Sequence, residues 1–551
     1  MMTVDLSLWR WALLLMVGGS VLIGGRGACA QPAPGPAARP QPGIDVQDYD
    51  FALTLSDTTD RIEGTATVHV RIDADTLTAV RLDLIGRAPG GETGMRVQSV
   101  SEAGRAVSYR HADDLLRIRP PDLAAGQTRT FRIEYAGVPD DGLIIGTNQH
   151  GDRTFFGDNW PNRARHWLPV VDHLSDKATV EFRVTAPARY EVVSNGALVH
   201  DSTSGGTRHT LWRTDVPLPP KVMVIGVADF AVDTAGTVDG VPVQSWVYPE
   251  DRGPGLKDLG QAPPILRFFE ENLGPYPYAK LANVQSTTRY GGMENAAAIF
   301  YSETAVADGE DDTSLLAHEI AHQWYGNTVT EADWPHLWLS EGFATYLTGL
   351  YLEHARGAAA LRQYMTAARR QVVQFHDANP DTPLVDTTYS DPNELLNTNP
   401  YQKGGWVLHM LRREVGTDTF WRGLRAYYER YRDGNASTRD FRAVMEDVSG
   451  QDLEAFFDQW TRRPGHPVIE GTWRHDAAAG ECVVTLRQTQ DEPPFEVPVQ
   501  VALGESPSRT TTLFMRGREA QSRVDCPRAP SSVTLDPNTD LLAELSMRRA
   551  Q

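Results

Sequence analysis

"HEIAHQWYGN", residues 318–327, sets two histidines four positions apart in a stretch whose apolar residues keep helical spacing. Four residues of α-helix turn the chain by about 400°, so His318 and His322 project from one face, one turn apart. Two imidazoles so related are able to hold one Zn2+ at about 2.0–2.1 Å from each. Glu319 flanks the same face. It is better placed beside a metal-activated water than among the ligands, as a general base that takes the water proton and passes it to a leaving amine.

A catalytic zinc needs a third protein ligand and an open position for water. Glu341, in "WLSEGFATY", is the candidate. Ser340 reads as a helix N-cap, which puts Glu341 in the first turn of the next helix, facing back toward the zinc helix. The helix dipole also favours an acid there. With HEIAH upstream, the ligand reading is the stronger of the two.

The rest of the chain sorts by periodicity. Phe51, Leu53 and Leu55, then Ala66, Val68, Val70 and Ile72, then Val80, Leu82 and Leu84 alternate as half-buried strands do. Short segments of this kind continue to about residue 250, so residues 46–250 are expected to form an antiparallel β-domain. The segments 263–274, 311–327, 339–357 and 403–416 carry apolar residues at three-to-four spacing, and most close on Gly or Asn. Residues 251–467 are therefore expected to be a mainly helical catalytic domain. Alternation returns at Phe495, Val497, Val499, Val501 and Leu503, which predicts a small β-sandwich over 468–551.

Composition bounds the function. The chain has 551 residues, is 41% apolar and 23% charged, and carries a net charge of −20. It is long enough for several folded domains, and its acidity repels phosphate backbones, which excludes nucleic acid as a partner. Arg10, the apolar run "WALLLMVGGSVLIGG" and the small-x-small site Ala28-Cys29-Ala30 stand in the order of an export signal. Residues 1–30 are expected to be removed before Gln31, taking the net charge to −21 and leaving a periplasmic or extracellular protein. A membrane anchor is the weaker reading, because the run is short of the ~20 residues a span requires. Lipidation at Cys29 is disfavoured by Arg26. Pro-rich residues 31–45 read as a linker. The mature chain keeps two cysteines, Cys482 and Cys526, and in an exported protein an even count predicts one disulfide.

Four stretches in order, "GGMEN" (291–295), "HEIAHQWYGN", "WLSEGFA" (338–344) and "YQKGG" (401–405), resemble the gluzincin aminopeptidases of the aminopeptidase N and leukotriene-hydrolase type. The spacing from His322 to Glu341 is that family's own. The resemblance implies a multidomain α+β fold with a thermolysin-like zinc domain, and an activity on peptides with a free N-terminus. It makes Glu294 the residue that binds the substrate α-amine, with Gly291, Gly292, Met293 and Asn295 completing the substrate-binding segment. Tyr401 would donate its phenolic hydrogen to the oxyanion. A carboxylate near the zinc and paired with an ammonium fixes the distance from the N-terminus to the first peptide bond, so the physics agrees with exopeptidase action.

Two departures from the family stand out. Where relatives place a second acid or amide for the amine, this chain has Trp160 in "DNWP", with Asp158 and Asn159 as possible substitutes. The long helical C-terminal domain of larger relatives is replaced by about 80 residues of β pattern. An HExxH endopeptidase, which needs no amine anchor, is the alternative enzymatic reading. An inactive binding scaffold is the other, and the presence of His318, Glu319, His322, Glu341 and Tyr401 together weighs against it.

Overall fold

The computed structural model describes residues 41–504 and 510–550. The export signal and residues 31–40 of the linker lie outside the described residues, and the last two linker positions, Ile44 and Asp45, already belong to the first strand. The described chain forms two compact units, one running to His336 with 389–396 and 427–437, the other comprising 337–388, 397–426 and the chain from Thr438 onward. The chain leaves the first unit at His336, inside the segment the sequence reads as one catalytic domain.

The first unit opens with an eight-stranded sheet. Ile44–Thr54 pairs antiparallel with Ile62–Ile72 and parallel with Ala178–Pro187, so that Phe51 stands opposite both Ala66 and Phe182. The alternation is realised as expected: Phe51, Leu53, Ala66, Val68 and Val70 are buried, each large side chain contributing on the order of 1.5–3 kcal/mol. All its other pairings are antiparallel. A five-stranded sheet follows in the order Ala231–Val238, Val241–Val247, Leu281–Ser286, Ala298–Ser302, Gly292–Met293, which leaves Gly292–Met293 at its edge.

Helices α1 (Arg252–Leu259), α2 (Ala262–Leu273) and α3 (Thr313–Ala321) complete this unit's part of the middle third. Helix α2 buries Ile265, Leu266, Phe269 and Leu273 at helical spacing, and Phe269 packs against Trp324 just beyond α3. The helix expected over 311–327 is shorter than its pattern. It ends at Ala321, with His322 as C-cap, because the chain then folds back: Asn327 N–H bonds to His322 O, and Gly326, at φ 122°, takes a left-handed turn.

In the second unit, α4 (Trp338–Arg356) packs on α5 (Ala358–Ala378) and α6 (Gly404–Val415). A β-carbon on Gly342 would meet Gly404 Cα at 2.9 Å and Pro400 O at 3.0 Å, so the two segments touch backbone to backbone. The C-terminal residues form a four-stranded sheet and a three-stranded sheet, the expected sandwich class. Cys482 and Cys526 are disulfide-bonded, with Cα atoms 5.4 Å apart.

One local expectation is corrected. Ser340 is not the N-cap of α4. A short turn at Trp334–His336 leads straight into the helix, which begins at Trp338, and Leu337 occupies the cap position. Glu341 remains in the first turn.

Candidate active site

Helix α3 presents its histidines as the spacing predicts. His322 keeps helical angles (φ −58°, ψ −24°), so both rings stay on one face, 4.7 Å apart and edge to face. Their Nε2 atoms are 3.1 Å apart. His322 Nδ1 lies 3.2 Å from the Tyr325 carbonyl, an acceptor only, so Nδ1 carries the hydrogen and Nε2 keeps its lone pair. Two donors on one tetrahedral zinc at about 2.1 Å stand roughly 3.4 Å apart, so the observed spacing fits a shared ion. The ligand atoms of His318, His322 and Glu341 all lie within 4.8 Å of one another. Two imidazoles and a carboxylate are the donor chemistry of a catalytic zinc, and zinc is the cofactor this set fits.

Glu319 is buried, and the GGMEN segment lies directly against it. A β-carbon on Gly292 would stand 2.3 Å from Glu319 Oε1, so only glycine fits there. Ser302 N–H bonds to Gly291 O, and Gly292 and Met293 pair with Tyr301 and Phe300. Glu294 is buried, and its backbone carbonyl accepts from Gln323 Nε2 at 2.9 Å and from Asn327 Nδ2 at 2.7 Å. Gln323 Oε1 also accepts from Ala297 N–H at 2.9 Å. The last letters of HEIAHQWYGN therefore hold the segment that carries Glu294. Asn295 is fully buried, and neither its amide oxygen nor its nitrogen has a hydrogen-bond partner among the described residues.

Sequence reasoning missed a buried ion pair beside Glu294. Lys221 Nζ donates to Glu331 Oε1 at 2.7 Å and lies 3.9 Å from Glu294 Oε1. The available signal was a single charge inside the apolar run "LPPKVMVIGVA", residues 218–228. Lys177 was missed too. Its ammonium donates to the carbonyls of Asn327, Thr328 and Gly434, and burial lowers its pKa to about 7.

Trp160 is buried, edge to face with Tyr290 and Trp334. Burial pushes the Tyr290 hydroxyl up to about 12. The two neighbours of Trp160 are engaged elsewhere. Asn159 donates to the carbonyls of Pro220 and Met223 and accepts from Trp167 Nε1, while Asp158 is paired with Arg163. Tyr401 is half-buried on a π-type turn, Asn399–Lys403, whose Pro400 carbonyl faces Gly342.

Compared with known proteins, the chain matches the Peptidase M1 N-terminal domain over residues 46–220 and the Peptidase family M1 domain over residues 258–460, together more than half of its length. The chain belongs to peptidase family M1. This M1 chain is 26% identical to human glutamyl aminopeptidase over 402 residues, 70% of the chain and 42% of that protein. Its identity to aminopeptidase M1 of Arabidopsis thaliana is 25% over 448 residues, 76% of the chain and 50% of that protein. It thus spans half or less of these curated relatives. The solved M1 zinc metallopeptidase from Deinococcus radiodurans superposes with a TM-score of 0.66 at 26% identity, covering 77% of this chain and 95% of that one. A mutant of that protein has also been solved with a Tyr-Ser-Ala substrate.

Proposed function

We propose that the chain is a zinc-dependent aminopeptidase that removes N-terminal residues from peptides. His318, His322 and Glu341 would hold the zinc, which when bound would supply a Lewis acid for water and for the scissile carbonyl. Glu319 takes the proton of the attacking water and returns it to the leaving amine. Glu294 pairs with the substrate α-ammonium, and Tyr401 donates a hydrogen bond to the oxyanion, whose charge exists only in the transition state. The edge strand Gly292–Met293 offers the substrate backbone a partner for β-addition.

One observation carries this reading: the Glu294 segment and the Glu319 helix are locked to each other. Gly292 abuts the Glu319 carboxylate, and Gln323 and Asn327 hold the Glu294 carbonyl. A rigid separation between amine anchor and base selects the first peptide bond. With Asp158 and Asn159 engaged elsewhere, Glu294 is the acid left to bind the amine.

The test compares an aminoacyl-arylamide with its N-acetyl form. The free amine should be turned over at least about 100-fold faster, since an unpaired buried anchor costs a few kcal/mol. Equal turnover of the two would move the protein to the endopeptidase class. We further infer from residues 1–30 that the enzyme works after export; N-terminal sequencing of the mature protein should begin at Gln31. Among the described residues, no helix is long and apolar enough to cross a membrane.

A further inference from the structure

Residues 294–297 join the edge strand Gly292–Met293 to its antiparallel neighbour Ala298–Ser302, with Met293 opposite Phe300. Glu294 thus stands on a tight turn, and that turn is held by its backbone. Gln323 clamps both ends: its Nε2 donates to Glu294 O at 2.9 Å, and its Oε1 accepts from Ala297 N–H at 2.9 Å. Asn195 Nδ2 donates to Ala296 O at 2.7 Å. Ala297 closes the turn at φ 63°, in the left-handed region that a residue with a β-carbon disfavours. Such a residue keeps this conformation only where its surroundings enforce it.

Lys280 is 4% exposed and stands just before the strand Leu281–Ser286, which pairs in parallel with Ala298–Ser302. Its Nζ donates to Ala297 O at 3.1 Å and to Ser194 O at 2.7 Å, and lies 4.7 Å from the centre of the Trp212 ring. Ser194 ends a strand of the four-stranded sheet in the same unit, and Trp212 belongs to the eight-stranded sheet. One side-chain nitrogen therefore ties the left-handed residue of the anchor turn to the β-rich part of the unit. Burial lowers the Lys280 pKa to about 7, and among the described residues no carboxylate pairs with it. A methionine would fill the same space without that desolvation cost, so what the nitrogen adds is its hold on two carbonyls. Both are served whether it is an ammonium or an amine, since the amine keeps two N–H groups.

We propose that Lys280 is a positioning residue for the amine anchor: by tying Ala297 O to Ser194 O it keeps the left-handed end of the turn closed, and so sets where Glu294 meets the substrate α-ammonium. This rests on the reading of Glu294 as that anchor. Lys280 is too buried to touch the substrate. In Lys280→Met the Ala297 carbonyl keeps only Ala282 N–H as donor and loses its tie to Ser194, while Gly292 and Met293 stay paired with Tyr301 and Phe300. The anchor shifts and the base does not.

The experiment measures kcat and KM on an aminoacyl-arylamide, and kcat/KM on its N-acetyl form, for Lys280→Met, Ala297→Gly and Lys280→Met/Ala297→Gly in the full zinc-loaded chain, with zinc content and thermal midpoint recorded for each. Lys280→Met should raise KM for the free amine about tenfold, the scale of one charge-assisted hydrogen bond put out of line, with kcat within about threefold and the N-acetyl substrate within about twofold. Glycine takes the left-handed conformation freely, so the double variant should bring KM back to within about threefold of the parent. A contact that only supports the fold would lower the midpoint and depress both substrates in parallel. That result overturns the proposal, as does a double variant no better than Lys280→Met. Glu294→Gln separates the two levels of inference. If it leaves the preference for free over N-acetylated substrate intact, the anchor reading fails. If it abolishes that preference while Lys280→Met leaves it untouched, the role of Lys280 alone fails. Should Lys280→Met not fold, Lys280→Gln, one atom shorter and unable to span both carbonyls, is read in the same way: a KM within about twofold of the parent overturns the proposal.

Discussion

The tightest contact in the active site gives the sharpest prediction. At Gly292 a β-carbon would lie 2.3 Å from Glu319 Oε1, 2.5 Å from its Cδ and 2.7 Å from its Cγ. Non-bonded heavy atoms settle at roughly 3.5 Å, so in Gly292→Ala something must retreat by about 1 Å. The strand is poorly placed to move, since Gly292 and Met293 are paired with Tyr301 and Phe300 and the next residue is held by Gln323 and Asn327. The carboxylate therefore yields. Gly292 is not among the left-handed residues, so the substitution adds a carbon and no backbone strain. A displacement of about 1 Å at a reacting group costs on the order of 100-fold, or about 2.7 kcal/mol of barrier. We expect kcat on an aminoacyl-arylamide to fall about 100-fold, with zinc content unchanged because His318, His322 and Glu341 are untouched. Overpacking should cost about 1–3 kcal/mol of stability. Shortening the acid relieves the overlap, so Gly292→Ala/Glu319→Asp should be no slower than Glu319→Asp alone. A Gly292→Ala protein with its full zinc and a kcat within threefold of the parent would refute both the placement of the carboxylate and its role as base.

Other consequences follow from single features. Glu319→Gln should retain zinc and lose about 1000-fold or more in kcat, the scale of a missing general base; unchanged kcat would remove Glu319 from that role. Dialysis against chelator should abolish turnover, Zn2+ should restore it, and the thermal midpoint should fall with the metal, since a ligand at 1,000 times its Kd contributes about 4 kcal/mol. His409 is buried between Tyr346 Oη and the Thr539 carbonyl, and burial lowers its pKa to about 3. Its folded form is thus neutral while the unfolded form binds a proton below about pH 6.5. Stability is full above pH 6.5 and falls toward pH 3 at up to about 1.4 kcal/mol per pH unit, so the gap between parent and His409→Gln in urea midpoint should narrow steadily from pH 7 to pH 5. Cys482 and Cys526 close a loop of 44 residues, worth about 4 kcal/mol in chain entropy; Cys482→Ser should lose much of this in denaturant unfolding.

What was legible in the sequence was local. His318 and His322 share one helical turn, and an acid just inside the next helix start is visible from spacing alone, even though the start itself lies at Trp338 and not at Ser340. The alternating strands at 44–54 and 62–72 were readable because one face is buried and the other is not. Leu281–Ser286 gave no such signal, since all six residues are buried in a strand with parallel neighbours. The zinc helix looked six residues too long at its C-terminal end because Trp324 and Tyr325 are buried after the chain has turned, and apolar spacing does not distinguish burial on a helix from burial on a turn.

The remaining parts of the site join residues far apart in the chain, and no periodicity connects them. Lys221 meets Glu331 across 110 positions, and Asn327 reaches the Glu294 carbonyl across 33. These long-range contacts give meaning to motif letters that carry no chemistry of their own. Gln323 and Asn327 are amides because a buried loop carbonyl needs donors. Gly292 is glycine because a carboxylate occupies the space its side chain would take, and Gly342 because Gly404 does. The zinc ligands could be assembled on many scaffolds. On the proposed reading, a peptidase confined to the first bond needs the amine anchor at one fixed distance from the base, and the side chains that would maintain it, Gln323 and Asn327, are those a ligand-centred reading of the motif passes over.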